Sequence, residues 1–228
     1  MKDIDQARTL AKLMVKIGNG LKRDTRAVLS NMNEPLGLAV GNALEVKEAI
    51  KALHGEGPED LMELCYTSGS IMLVQAKIAK NFDEGRKMLE NCIKDGSAFN
   101  KFVEMVKAQG GDIEYILHPE KFPLAKNIIP ICAKEDGYVK GINALEIGLS
   151  SMQLGGGRET LDDVIDMAAG IMLEKKVGDR VNKGDVLCYL HTNKNGDNVS
   201  HVTENVQNAY VLTNDYVVKP HVILEVID

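Results

Sequence analysis

Glu45 and Glu48 lie three residues apart, and a helix through them brings both carboxylates to nearly the same face. Flanked by Lys47 and Lys51, they read as a solvated helix surface rather than an acid–base pair. The five histidines, His54, His118, His191, His201 and His221, never recur at the spacing a metal demands. Cys65, Cys92, Cys132 and Cys188 occur without a Cys-x-x-Cys pair or a Cys/His pattern, so they read as reduced, mostly buried thiols. The run Leu154-Gly155-Gly156-Gly157-Arg158 leads into a helical pattern at Thr160 and could present backbone N–H groups, with Arg158, to an anion. It lacks the Lys-Ser/Thr of a nucleotide-triphosphate loop and the full dinucleotide fingerprint, so a tight turn is the simpler reading.

Gly178-Asp179 and Gly184-Asp185 set two turns six residues apart, which fold short strands back on themselves in the manner of a hammerhead. Barrel-sandwich modules that carry lipoate or biotin hold a lysine at a hairpin tip, and Lys194 falls close to such a tip. Against a lipoyl- or biotinyl-like carrier, the stretch after Lys194 is polar, with helical apolar spacing at Val199, Val202, Val206 and Ala209 in place of a second, quasi-symmetric half. The carrier is therefore the weaker alternative.

The elements that would position these groups belong to a chain of 228 residues with net charge −6 and 44% hydrophobic residues, a composition that folds rather than remaining disordered. No apolar run is long enough to span a bilayer, and no basic stretch precedes an apolar one, so no membrane partner and a cytoplasmic location are expected. Aromatic residues make up only 4%, with no Trp, which argues against a base-stacking platform and against nucleic acid as a partner.

Apolar residues from Ile4 to Ile17 recur at helical spacing, with Asp3 to cap the start and Gly18 the end. A short buried strand is expected over Arg26–Leu29, followed by a turn forced by Pro35 and Gly37 and a helix over Asn42–Leu53. Pro58 opens a long helix to about Ala79, and amphipathic helices follow over Phe82–Ile93 and Ser97–Ala108. Met62, Met72, Met88 and Met105 lie on the helical stripes and read as core filling. Up to about residue 117 only one strand is visible, without a partner. Beyond Pro119 the texture turns to short β-like runs at 128–132, 137–139, 171–177, 186–191 and 222–227. Helical patterns interrupt them at Ala144–Met152 and Thr160–Ala168. His118-Pro119 and Phe122-Pro123 mark a boundary near 118–126. The fold class is thus α/β plus α+β: a helix-rich remnant of a mixed α/β domain over residues 1–120, then an α/β-hammerhead-like domain over 121–228.

The stretch from Asn33-Glu34-Pro35-Leu36-Gly37 to Lys47-Glu48-Ala49-Ile50, followed by Gly57-Pro58-Glu59-Asp60-Leu61, closely resembles the pyrimidine-nucleoside and thymidine phosphorylases. Further similarities run in the same order: Ala108–Asp112, His118–Lys121, Met152–Arg158 and Gly170–Asp179. The resemblance implies a pentosyltransferase, homodimeric and without an organic cofactor. In that family phosphate attacks the anomeric carbon of a pyrimidine nucleoside, releasing the base and a pentose 1-phosphate. Such chemistry needs cationic and hydroxyl donors on phosphate and donors for the charge on the departing base. Phosphoribosyltransferases are the related alternative, sharing the larger fold but not the hammerhead tail.

The family's Lys-His-Ser-Thr-Gly-Gly phosphate motif and its base-holding Arg, Ser and Lys are absent from this sequence. Met1-Lys2 resembles the end of the family's Gly-x-Gly-Ala-Phe-Met-Lys segment, so the chain reads as the carboxy-terminal half, inactive by itself, with no catalytic residues of its own. The resemblance also implies part of a site for a monovalent cation such as potassium: the main-chain carbonyls of Leu36 and Ala39 and the carboxylate of Glu48.

Overall fold

The computed structural model describes residues 3–228; Met1 and Lys2, which carried one part of the resemblance, lie outside the described residues. In chain order the elements begin with α1 (Ile4–Gly20), β1 (Ala27–Ser30), β2 (Ala39–Val40), α2 (Asn42–Leu53), α3 (Glu59–Gln75), α4 (Phe82–Lys94), α5 (Ser97–Ala108) and α6 (Glu114–Leu117). They continue through β3 (Asn127–Cys132), β4 (Gly137–Ile142), α7 (Ala144–Ser151), β5 (Gly170–Leu173), β6 (Arg180–Val181) and β7 (Val186–Thr192). The chain closes with α8 (Asp197–Ala209), β8 (Tyr210–Thr213) and β9 (Ile223–Ile227). This is a mixed α/β chain of helices and small antiparallel sheets.

Two compact units emerge. The first gathers the described residues through Asn31 with Glu59–Cys92 and His221–Asp228; the second comprises Met32–Pro58 and Ile93–Pro220. The stretch 118–126, where a boundary was expected, falls inside the second unit.

In the first unit α1 starts where expected, because the Asp3 carboxylate accepts the Gln6 N–H at 2.8 Å and so satisfies one of the four free donors of the first turn. The strand that lacked a partner has one. β1 pairs antiparallel with β9, Ala27 opposite Ile227 and Val28 opposite Val226, at the far end of the sequence. α3 stops at Gln75, short of Ala79, because Lys77 adopts a left-handed φ of 60° and the amides of Ile78 and Ala79 turn back to the Leu73 carbonyl. Core filling by methionine is corrected here: Met72 is 61% exposed and Met88 is also exposed, and so is Met105 in the second unit. Cys65 and Cys92 are exposed as well, Cys132 is partly buried, and only Cys188 is fully buried, which corrects the expectation of mostly buried thiols.

The second unit is built on an antiparallel sheet of order β2-β5-β7-β3 and a second of order β6-β4-β8. Cys188 and Leu190 alternate along β7 and are buried with Ile171 and Leu173 of β5, and the adjacent Leu187 is buried as well. Val139, Ile147 and Val206 complete the same core from β4, α7 and α8. β5 ends at Leu173 rather than at Val177. The helix expected over Thr160–Ala168 is absent, and turns and bends take its place. The Asp163 carboxylate accepts the N–H groups of Glu159 and Thr160 at 2.9 Å, and Asp166 accepts that of Ala168 at 3.0 Å, so local side-chain acceptors outcompete the helical carbonyls.

Candidate functional site

The turn Asn33–Gly37 passes into β2 and then into α2, all within the second unit. Gly41 caps α2 without a side chain; with φ 152° it lets the backbone come so close to Ala169 that a β-carbon would lie 2.6 Å from the Ala169 carbonyl oxygen. Glu45 Oε1 accepts the Gly41 N–H at 2.9 Å. One turn further, the buried Glu48 carboxylate accepts the N–H groups of Leu38 at 2.8 Å and Ala39 at 3.1 Å through Oε1. Both carboxylates thus fold back onto the segment that enters their helix. That corrects the reading of a solvated surface.

β2 is an edge strand of its sheet. Ala39 faces Met172, and the bond from the Leu173 N–H to the Leu38 carbonyl, 2.7 Å, puts Ala39 in a non-hydrogen-bonded position of that ladder. Its amide and carbonyl therefore point away from β5, towards the side where the amide meets Glu48. The structure brings Ala39 and Glu48 together; Leu36 lies in the same turn, next to Gly37, with its side chain exposed. A carboxylate and main-chain carbonyls form an oxygen donor set of the kind hard cations take. Among the described residues no group of three or more His, Cys, Asp or Glu side chains is placed to hold a metal ion. Any cation held here would depend on backbone oxygens.

Lys176 is a residue that spacing did not single out. Its ammonium donates to the carbonyls of Pro35 and of Gly37, the latter at 3.1 Å, and lies 3.6 Å from the Glu34 carboxylate. Glu34 in turn accepts the Val177 N–H at 3.0 Å. Two segments some 140 residues apart are thereby tied together at the turn. The only hint was the Lys175-Lys176 pair inside Gly170–Asp179.

Glu48 also borders a cavity of about 260 Å³ shared with Leu38, Leu44, Lys47, Lys51 and Met172. Burial lowers the Lys47 pKa, and the Lys47 ammonium lies 5.7 Å from the centre of the Phe122 ring. His191, half-buried, has its pKa lowered first by burial and then by Lys47, which keeps the ring neutral. Burial pushes the Cys188 thiol up to about 12, so it is an inert core group rather than a nucleophile.

The remaining candidates dissolve. Lys194 lies where β7 passes into α8, not at a hairpin tip, and its ammonium donates to the Gln153 carbonyl at 2.8 Å. The glycine run does not open a helix: Gly155, at φ 118°, continues from α7 into a turn whose carbonyl accepts the Asp166 N–H at 2.9 Å. No helix of the described residues is long and apolar enough to cross a membrane.

With that geometry in hand, comparison with known proteins finds two family models along the chain. Residues 1–99 match the glycosyl transferase family, a/b domain, and residues 138–213 match the pyrimidine nucleoside phosphorylase C-terminal domain. The matched stretches are those of a glycosyltransferase-type enzyme family. The pyrimidine-nucleoside phosphorylase of Geobacillus stearothermophilus is 52% identical over 194 residues, 85% of this chain and 45% of that protein. That of Bacillus subtilis is 52% identical over 206 residues, 90% of this chain and 47% of that protein. That of Staphylococcus aureus is 44% identical over 227 residues, the full length of this chain and 52% of the relative. The chain belongs to the pyrimidine-nucleoside phosphorylase family, and it spans about half the length of the curated relatives it matches.

Proposed function

We propose that this chain supplies one part of a pyrimidine-nucleoside phosphorylase, which converts a pyrimidine nucleoside and phosphate to the free base and a pentose 1-phosphate. The single observation behind the reading is the unbroken likeness: 44% identity across the whole chain to a relative bearing that name. In the reaction, phosphate oxygen bonds to the anomeric carbon while the bond from that carbon to the base nitrogen breaks and its electron pair leaves with the base. This chain's part in it is scaffolding. Glu48 fixes the amides of Leu38 and Ala39, Lys176 holds the carbonyls of Pro35 and Gly37, and the turn between them keeps one shape.

The Leu36 and Ala39 carbonyls and the Glu48 carboxylate are the proposed share of a site for a monovalent cation such as potassium. Bound there, the ion would supply positive charge beside the turn. The finer architecture belongs to the same reading: a hammerhead-like arrangement of the strands beyond about residue 120, a homodimer and a cytoplasmic location.

Because the sequence carries no Lys-His-Ser-Thr-Gly-Gly run, the purified chain incubated with thymidine and phosphate should release no pentose 1-phosphate. Robust product from the chain alone would overturn the reading.

A further inference from the structure

The cavity beside Glu48 joins apolar walls to unpaired positive charge. Its volume of about 260 Å³ lies just under the roughly 300 Å³ at which pockets for drug-sized molecules begin, so it suits a small ligand. Leu38, which leads into β2, Leu44 of α2 and Met172 of β5 supply apolar wall. Gly170 lets Leu44 come close: a β-carbon on Gly170 would lie 2.8 Å from the Leu44 Cδ1. All of these residues belong to the second unit.

Lys47 and Lys51 line the same space from successive turns of α2. Ammonium groups four residues apart repel along a helix, and a lysine drawn into the protein ordinarily has a partner. Lys101, Lys121, Lys176 and Lys219 each reach a carboxylate. Among the described residues neither Lys47 nor Lys51 does so, and the half-buried Lys47 instead sets its ammonium over the Phe122 ring. The two carboxylates that border the cavity leave this charge unmatched. Glu48 is turned to the amides of Leu38 and Ala39, and Glu56 is exposed beyond the end of α2.

The lining also selects among anions. No Ser, Thr, Asn, Gln, Tyr or His side chain borders the cavity, so sugar hydroxyls and base amides would lose their hydrogen bonds on entering. Two ammoniums and two carboxylates sum to zero, which favours a single negative charge set between the lysines over a phosphate dianion. We propose that this cavity binds a small monocarboxylate with an apolar or aromatic body, the carboxylate between Lys47 and Lys51 and the body against Leu38, Leu44 and Met172. Occupancy of the cavity does not depend on nucleoside phosphorolysis.

Titration of the isotope-labelled full chain with sodium benzoate, followed by the amide shifts of α2 and β2, tests the site. Benzyl alcohol serves as the uncharged body and inorganic phosphate as the bare anion. Benzoate should bind saturably, with a dissociation constant of roughly millimolar or below, and both controls at least about tenfold more weakly. Lys51→Gln, at an exposed position, should leave the circular dichroism unchanged and weaken benzoate about tenfold, and Lys47→Gln should weaken it at least as much. Three results would overturn the site: no saturable shift at the lining residues, a benzoate titration indifferent to Lys51→Gln, or either control binding as tightly as benzoate.

Discussion

Gly37 and Glu48 meet so closely that a β-carbon on Gly37 would lie 2.3 Å from Glu48 Oε2 and 3.0 Å from its carboxyl carbon. Gly37 also sits at φ 67°, the left-handed region that costs other residues about 1–2 kcal/mol. Contact and conformation therefore penalise the same substitution. Gly37→Ala should lower the stability of the folded chain by roughly 2–4 kcal/mol, read as a lower urea midpoint at an unchanged slope. A midpoint within error of the parent's would mean that the turn and the carboxylate are not locked together.

Glu48 satisfies two backbone amides while itself buried, so removing it orphans both. Glu48→Ala should cost about 1–3 kcal/mol, more than Glu45→Ala, whose carboxylate accepts a single amide, that of Gly41. The same site bears on the cation. With no more than the three proposed ligands, Leu36, Ala39 and Glu48, the chain should show no saturable rise in melting temperature when potassium chloride replaces choline chloride at equal ionic strength. A saturable rise that Glu48→Gln abolishes would prove three ligands sufficient.

His191 ties stability to pH. Burial and the nearby Lys47 hold its pKa below the usual 6.5, so near that pH the unfolded chain binds more protons than the folded one. Stability must then rise with pH through the window just below 6.5, and fall as acid is added. The loss of urea midpoint between pH 7.5 and pH 5.5 should be smaller in His191→Gln than in the parent. Equal losses would show that the ring is not kept neutral by its surroundings.

Much of this architecture is legible from periodicity. α2 and α5 begin and end where apolar spacing and turn residues put them, Asn42–Leu53 and Ser97–Ala108. β3, β7 and β9 fall within a residue of the expected runs. Pairing between β1 and β9 is not legible, because no local pattern records a partner nearly two hundred residues away. β2, at two residues, is too short to leave an alternation. The helix that failed to form over 160–168 shows a different limit: apolar spacing says nothing of Asp163 and Asp166, whose oxygens capture the amides first. At the site, spacing put Glu45 and Glu48 on one helical face correctly but could not show that the chain before them folds back into reach. Lys176 was hidden for the same reason, its partners at Pro35 and Gly37 being brought close only by the fold.

Under the proposed function, this chain is a supporting part of a phosphorylase and does not itself grip either reactant. Equilibrium dialysis of the purified chain against orthophosphate and against thymidine tests it most directly. No saturable uptake of either should appear up to millimolar concentration. Tight uptake of one equivalent of phosphate or nucleoside by the chain alone would contradict the account.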